Sequence, residues 1–368
     1  MGERERPLED LELTPSDLAV LRGKRVFLTG HTGFKGSWAA LLLQRLDCAV
    51  VGYALAPSSQ PSLFDLAKVG PSLDGHTIGD IRDAAGLAAA LRSAAPDLVL
   101  HFAAQPLVRR SYAEPVATWE TNVVGTVNLL EAVRSCPPVR AVVVVTTDKC
   151  YENRSWEWGY RETDSLGGHD PYSASKAAAE LVVQSYRRSF FADGGALVAT
   201  ARAGNVIGGG DWSEDRILAD AARAAAAGRA LVVRNPHATR PWQHVLDCLS
   251  GYLTVACRLL EGDATAAEAY NFGPDQSDNV TVASLLDTLK MHWPQLSWTQ
   301  DTLRAQQPYE AAYLYLDSSR ARQALRWSPR WPLRVAAEKT ALWYRSVIED
   351  AGTAQSKSIE QIEDYLRT

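Results

Sequence analysis

Short apolar runs alternate along the chain with longer stretches whose apolar positions recur every three to four residues. Val26-Phe27-Leu28, Ala49 to Leu55, Leu98-Val99-Leu100, Val142 to Val145 and Ala196 to Ala201 read as strands. Ser37 to Leu46, Ala84 to Ala94, Val116 to Val133 and Tyr172 to Phe191 read as helices. Strand and helix in alternation predict a parallel sheet with helices on both faces. The unbroken Val142-Val143-Val144-Val145 suits a strand covered on both sides. Beyond Gly208 the pattern loosens into a glycine loop at Gly208-Gly209-Gly210, a helix from Ile217 to Ala227, a strand at Leu231-Val232-Val233, and helices from His244 to Leu260 and Thr281 to His292. The fold class expected is α/β: a Rossmann-type doubly wound parallel sheet over residues 20–207, with a smaller mixed α/β lobe over 208–345. The lobe is expected to exchange chain with the sheet and to close a cleft over the carboxyl ends of the strands, with 1–19 and 349–368 peripheral.

Composition narrows the partners. The chain carries 38 Lys and Arg against 43 Asp and Glu, a formal charge of -5, and has no basic run, so nucleic acid is not expected as a ligand. Five cysteines without a C-x-x-C spacing suggest neither a disulfide framework nor a zinc site, and point to a reducing cytoplasm. The seven histidines show no metal-binding spacing, so no metal is expected. Met1 to Asp10 is charged, and no apolar stretch approaches the roughly 20 residues of a membrane span; neither export nor membrane insertion is expected.

The first strand runs into Thr29-Gly30-His31-Thr32-Gly33-Phe34-Lys35-Gly36, which opens a helix. In that setting Gly30 permits a tight turn, Gly33 lets the backbone approach a pyrophosphate, and Gly36 lets the helix pack on the strand, with the helix N-terminus stabilising the anion. After the second strand, however, Ala56-Pro57-Ser58-Ser59 offers no acid for a ribose and no arginine for a 2′-phosphate, so this loop leaves NAD and NADP both open.

Tyr172-Ser173-Ala174-Ser175-Lys176 places Tyr172 and Lys176 four apart on one helix face. The lysine charge lowers the cost of a phenolate, which can take a hydroxyl proton as hydride leaves the same carbon. The Val142 to Val145 strand ends in Thr146-Thr147-Asp148-Lys149, at the edge of the sheet that faces a cleft. There Thr147 could bond a sugar oxygen and Asp148 could protonate a departing hydroxyl, although Asp148 and Lys149 also read as a plain ion pair.

These motifs, joined by Gly79-Asp80-Ile81, His101-Phe102-Ala103-Ala104 and Thr121-Asn122-Val123-Val124-Gly125-Thr126, resemble the extended short-chain dehydrogenase/reductase family. The resemblance implies cofactor contacts from Gly30, Thr32, Gly33, Phe34, Gly36, Asp80, Ile81, Phe102, Ala103, Ala104 and Asn122, together with Tyr172 and Lys176. In the second half Thr147 to Asn153, Arg202 to Trp212 and Thr239 to Val245, with Pro61-Ser62-Leu63-Phe64 earlier, resemble the CDP-glucose branch of the family's 4,6-dehydratases. The likeness spans roughly residues 20–345. It implies an internal redox cycle on CDP-glucose that begins and ends with NAD+. Tyr172, Lys176, Thr147, Asp148 and Lys149 would form the catalytic set, with Lys149 standing where dTDP-specific relatives have a glutamate and acting as base or as enolate stabiliser.

A CDP-sugar carries a diphosphate, which calls for arginine forks. Arg216, Arg234 and Arg240 are the candidates, with Asn205 near the sugar or first phosphate, Gln243 and His244 in the same family-specific run, and Trp242 as a wall or base platform. Relatives pair through two long helices, here Val116 to Val133 and Tyr172 to Phe191, which implies a homodimer or homotetramer and requires an apolar outer stripe. A sugar-nucleotide 4-epimerase on the same scaffold is the alternative; it needs Tyr172, Lys176 and NAD but no acid at O6. A dinucleotide-binding regulatory protein would have no use for Tyr172, Lys176 and Asp148 together.

Overall fold

The computed structural model describes residues 18–301 and 313–368. The chain winds through β1 (Arg25–Thr29), α1 (Phe34–Arg45), β2 (Ala49–Ala54), β3 (Gly75–Ile78), α2 (Ala84–Ala94), β4 (Leu98–His101), α3 (Gly125–Arg134), β5 (Ala141–Val145), α4 (Pro171–Ser189) and β6 (Leu197–Ala203). After β6 come α5 (Ile217–Ala226), α6 (Val245–Leu260), β7 (Ala269–Phe272), α7 (Val282–His292), α8 (Leu333–Glu349) and α9 (Ala354–Arg367). Seven strands form one parallel sheet in the order β7-β6-β5-β4-β1-β2-β3. The order reverses between β1 and β4, so the loops leaving these two strands part and open a crevice at their carboxyl ends. Every residue of β4 and β5 is buried. One apolar layer packs α1, α6 and α8 on one face, and a second packs α2, α3 and α4 on the other.

Two strands of this sheet escaped the sequence reading. β3 (GHTI) is the exposed edge and carries no apolar run, while β7 is four residues long and returns to the sheet from within the second lobe, beside β6. The stretch expected as one helix from Val116 to Val133 is Pro115–Trp119, a π-turn at Glu120–Val124, and α3.

The expectation that 349–368 is peripheral is corrected: α9 packs on α8 and α1, with Ile362 and Tyr365 buried. The Tyr365 hydroxyl donates to Asp247 Oδ1 at 2.8 Å, which ties the tail to α6. Of the expected peripheral N-terminus, residues 1–17 lie outside the described residues, and Leu18 is already buried in the main core. Trp242 is not a cleft platform. It is buried, and its Nε1 donates to the Val280 carbonyl at 3.1 Å.

Candidate active site

The glycine loop turns at Gly30, whose φ of +78° lies in the left-handed region. A Cβ there would stand 2.7 Å from the Ala103 nitrogen, so the loop and the end of β4 approach as only glycine allows. At Gly36 a Cβ would meet the Gly30 carbonyl oxygen at 2.0 Å. Gly33 caps α1 with no side-chain bond to the first-turn amides. Those N–H groups, with Phe34 heading the helix, therefore face the loop as an anion seat. Phe102 and Ala103 are held by their amides on the Thr29 hydroxyl, at 3.1 and 3.2 Å, and Ala104 continues the same segment.

Other expected cofactor residues also make bonds and contacts within the chain. The Thr32 hydroxyl donates to the Leu55 carbonyl at 2.8 Å and closes the loop against the end of β2. Asp80 is forked by Arg82, at 2.9 and 2.6 Å, which holds its carboxyl below the usual range. Ile81 turns its side chain into the core, where its Cδ1 fills the space over Gly125. Asn122 accepts from the Gln105 amide at 2.8 Å and donates to the Ser175 hydroxyl at 2.9 Å, so it braces the loop after β4 against α4 from inside the π-turn.

Asp170 caps α4 by accepting from the Ser173 amide at 2.9 Å, and Pro171 occupies the first turn, so the helix starts sharply one residue before Tyr172. Tyr172 and Lys176 are both buried on the face turned to the end of β5. Lys176 Nζ donates to the Val145 carbonyl at 3.2 Å. Burial, the nearby Lys35 ammonium adding to it, lowers Lys176 to about 8. Burial pushes the Tyr172 phenol up to about 12, against a hydrogen bond with Thr147 and the charge of Arg216. Thr147 also donates to Asp148 Oδ1 at 3.0 Å. Asp148 is fully enclosed; burial raises its pKa despite Lys149, the Thr147 bond, Arg240 and Lys35, and its Oδ2 accepts no hydrogen bond from the described residues. Among the described residues Asp148 shares such an unpartnered buried carboxyl oxygen with Asp247.

The substrate candidates divide. Arg240 is buried and its charge reaches Asp148, while Arg216 faces Tyr172 and donates to the Pro106 carbonyl at 3.3 Å. Arg234 pairs with Asp215 at 2.9 Å, and Arg109 meets the same carboxylate at 3.5 Å. Asn205 sits between β6 and the strand Val206–Ile207, where its carbonyl takes the Gln243 amide. Gln243 and His244 are corrected. Gln243 Nε2 donates to the Phe272 carbonyl at 2.8 Å, and His244 Nδ1 accepts from the Leu246 amide to cap α6, its ring packed on Trp38 and Trp331. Burial lowers His244 to about 3, so it holds a neutral ring in the core.

Three groups went unassigned in the sequence reading. Lys35 reaches back along the loop to lie 6.0 Å from the Tyr252 ring centroid, and its charge is felt at Asp148 and Lys176. Tyr252 stands edge-on to Phe102, 5.7 Å between centroids, and takes the Cys248 thiol at 2.9 Å. Lys35 could have been read from its place between Phe34 and Gly36 in the loop. Tyr252 and Cys248 lie in an apolar helix with no local signal.

A phenol, an ammonium, a hydroxyl and a protonatable carboxyl thus converge where the two diverging loops open. Residues 27–340 match the GDP-mannose 4,6 dehydratase family. The chain belongs to this family. It is 46% identical over 353 residues to the CDP-glucose 4,6-dehydratase of Salmonella typhimurium, covering 94% of this chain and 97% of that one. A dTDP-glucose 4,6-dehydratase of Xanthomonas campestris is 30% identical, with 86% and 92% covered. Among solved structures, dTDP-glucose 4,6-dehydratase from Bacillus anthracis in complex with NAD superposes with a TM-score of 0.71 at 20% identity, covering 87% of this chain and 96% of that one. That likeness concerns the fold.

Proposed function

We propose that this family member converts CDP-glucose to CDP-4-dehydro-6-deoxyglucose and water, with NAD as a cofactor restored in each turnover. The reading rests on the 46% identity to a CDP-glucose 4,6-dehydratase over nearly the whole of both chains, well above the dTDP-specific relative at 30%. The fit of NAD rests on the glycine cradle: the close approach of Gly30 to Ala103, and the uncapped N-terminus of α1 turned toward a diphosphate. Bound there, NAD supplies the acceptor and later the donor of one hydride.

The chain's own groups handle the protons. Tyr172, its phenolate favoured against burial by the Thr147 bond and the Arg216 charge, takes the C4 hydroxyl proton, and Thr147 orients the same oxygen. The 4-ketone acidifies the C5 proton, which a base removes, with Lys149 on that side as this base or as stabiliser of the enolate, while Asp148 protonates O6 so that water leaves; the hydride taken from C4 then goes to C6 and a proton returns to C5. Burial keeps Asp148 protonated to higher pH than a solvated carboxyl, as an acid at O6 requires. An epimerase has no use for such an acid, so the buried Asp148 with its unpartnered Oδ2 favours dehydration. Arg216 and Arg240 are assigned to the diphosphate.

A second copy of the chain is proposed as partner, packed through α3 and α4 with the segment before α3. Val116, Trp119, Val124 and Leu181 are exposed there, which is the outer stripe that such pairing needs.

Mass spectrometry of reactions with CDP-, dTDP-, UDP- and GDP-hexoses tests the function. Loss of one water from CDP-glucose alone is the expected result. Dehydration of another nucleotide sugar in its place would overturn the assignment of the base, and isomerisation without loss of water would establish the epimerase.

A further inference from the structure

Beneath the site α4 presents a third group in line with Tyr172 and Lys176. Glu180 lies one more turn along the same face and is buried. The three residues engage three consecutive positions at the end of β5. Tyr172 bonds Thr147, Lys176 donates to the Val145 carbonyl, and the Thr146 hydroxyl donates to Glu180 Oε1. Glu180 Oε2 also accepts from Thr200 and from Arg202 on β6, each at 2.8 Å. Arg202 in turn donates to the Tyr151 hydroxyl at 2.7 Å, and that hydroxyl donates to Asn271 on β7 at 2.7 Å. One carboxylate therefore ties the helix that carries the phenol and the ammonium to β5, β6 and, through Arg202, β7.

A buried ion pair is weak evidence of stabilisation, because desolvating both charges costs about what their attraction returns. Burial pushes the Glu180 carboxyl up, and Arg202 with the two threonine hydroxyls more than offsets this, so it stays ionised in a place where apolar side chains would hold the fold as well. What apolar packing cannot supply is register. A helix that slides or turns slightly against β5 carries Tyr172 and Lys176 away from Thr147 and Asp148.

We propose that Glu180 is a positioning residue, which sets the register of α4 against the end of β5 through Thr146 and so holds Tyr172 and Lys176 at the reacting carbon. The proposal rests on the catalytic reading given above. Its discriminating feature is that Glu180 takes one threonine hydroxyl on each carboxylate oxygen, of which only the one on Thr146 belongs to the strand end bearing Thr147 and Asp148.

The test compares Thr146→Val with Thr200→Val in the NAD-loaded enzyme, using CDP-glucose or whichever sugar nucleotide the unaltered protein dehydrates. Each variant removes one hydroxyl from Glu180 and leaves the Arg202 pair in place. Thr146→Val is expected to lower kcat by on the order of 10- to 100-fold, the scale of a small misplacement of reacting groups. KM is expected to stay within about twofold, because the substrate's binding groups lie elsewhere. Thr200→Val is expected to keep kcat within about twofold at a similar loss of melting temperature, and Thr146→Ser to restore kcat. Equal kcat losses in the two valine variants, or a loss that follows melting temperature across the series, would overturn the positioning role. Absence of turnover in the unaltered protein would instead bring down the catalytic reading itself, and this role with it.

Discussion

Lys176→Met should make the protein more stable at neutral pH and catalytically dead. The lysine is buried, and burial together with Lys35 brings its pKa from 10.5 to about 8. Such a drop corresponds to about 3 kcal/mol by which the fold disfavours the charged ammonium. The sign follows from linkage. Between pH 10.5 and 8 the unfolded chain takes up a proton that the folded chain does not, so stability falls as pH falls through that window and stays at the lower level below it. Methionine has nearly the same length and carries no charge to desolvate. Against the gain stands the lost bond to the Val145 carbonyl, about 1 kcal/mol. The net expectation is a variant about 2 kcal/mol more stable at pH 7, with the advantage gone near pH 10. Urea unfolding followed by the fluorescence of the eleven tryptophans, at both pH values, reads this difference directly. A variant less stable than the parent at pH 7, or a difference that does not change between the two pH values, would refute the argument that Lys176 is held in the site at the fold's expense. Loss of turnover beside a gain in stability is what a residue kept for chemistry shows.

Asp148→Asn should slow water elimination by roughly 100-fold or more while C4 oxidation persists, the usual contribution of a general acid; an unchanged dehydration rate would take Asp148 out of that role. In the parent, activity should decline as rising pH removes the Asp148 proton, at a pH above the ordinary carboxyl range because burial raises its pKa. Gly36→Ala puts a methyl group 2.0 Å from the Gly30 carbonyl oxygen, and forcing α1 off the loop costs about 1–3 kcal/mol. NAD titration by calorimetry should show weakening of roughly 10-fold or more, and undiminished affinity would remove the loop from the cofactor seat. Asp247, raised to about 6 by burial, lowers stability as pH rises from about 4 through 6, because the fold retains a proton that the unfolded chain releases. Asp247→Asn should therefore raise the melting temperature at pH 7 and leave it unchanged at pH 4; an equal shift at both would show that the charge is not what costs.

Where the sequence was legible, local chemistry and global placement coincide. The glycine loop, Tyr172, Lys176 and the Thr147-Asp148 strand end could be read because each motif must sit at a fixed point of a βα unit, and the alternation of runs located those units. β3 was not legible, since an edge strand open to water has no need of an apolar run. β7 was missed because its partner β6 lies more than sixty residues upstream, so that no local pattern can announce the pairing. The misreadings of Gln243, His244 and Trp242 share one cause. Each stands within or beside a motif that bears chemistry, but neighbours along a strand or at a helix start point to opposite sides, and a residue next to a working side chain is often the one that anchors it in the core. Arg240 and Gln243 show this over four positions: the first reaches Asp148, and the fourth donates inward to the Phe272 carbonyl. Glu180 gives the converse case. In sequence it is one more helical glutamate of the kind usually solvated, and only the folding of β5 and β6 against α4 turns it into a buried carboxylate shared by two strands. Residues that touch substrate leave a mark in sequence because their chemistry is unusual. Residues that hold those in place have ordinary chemistry, and their function resides in the register that the sheet imposes.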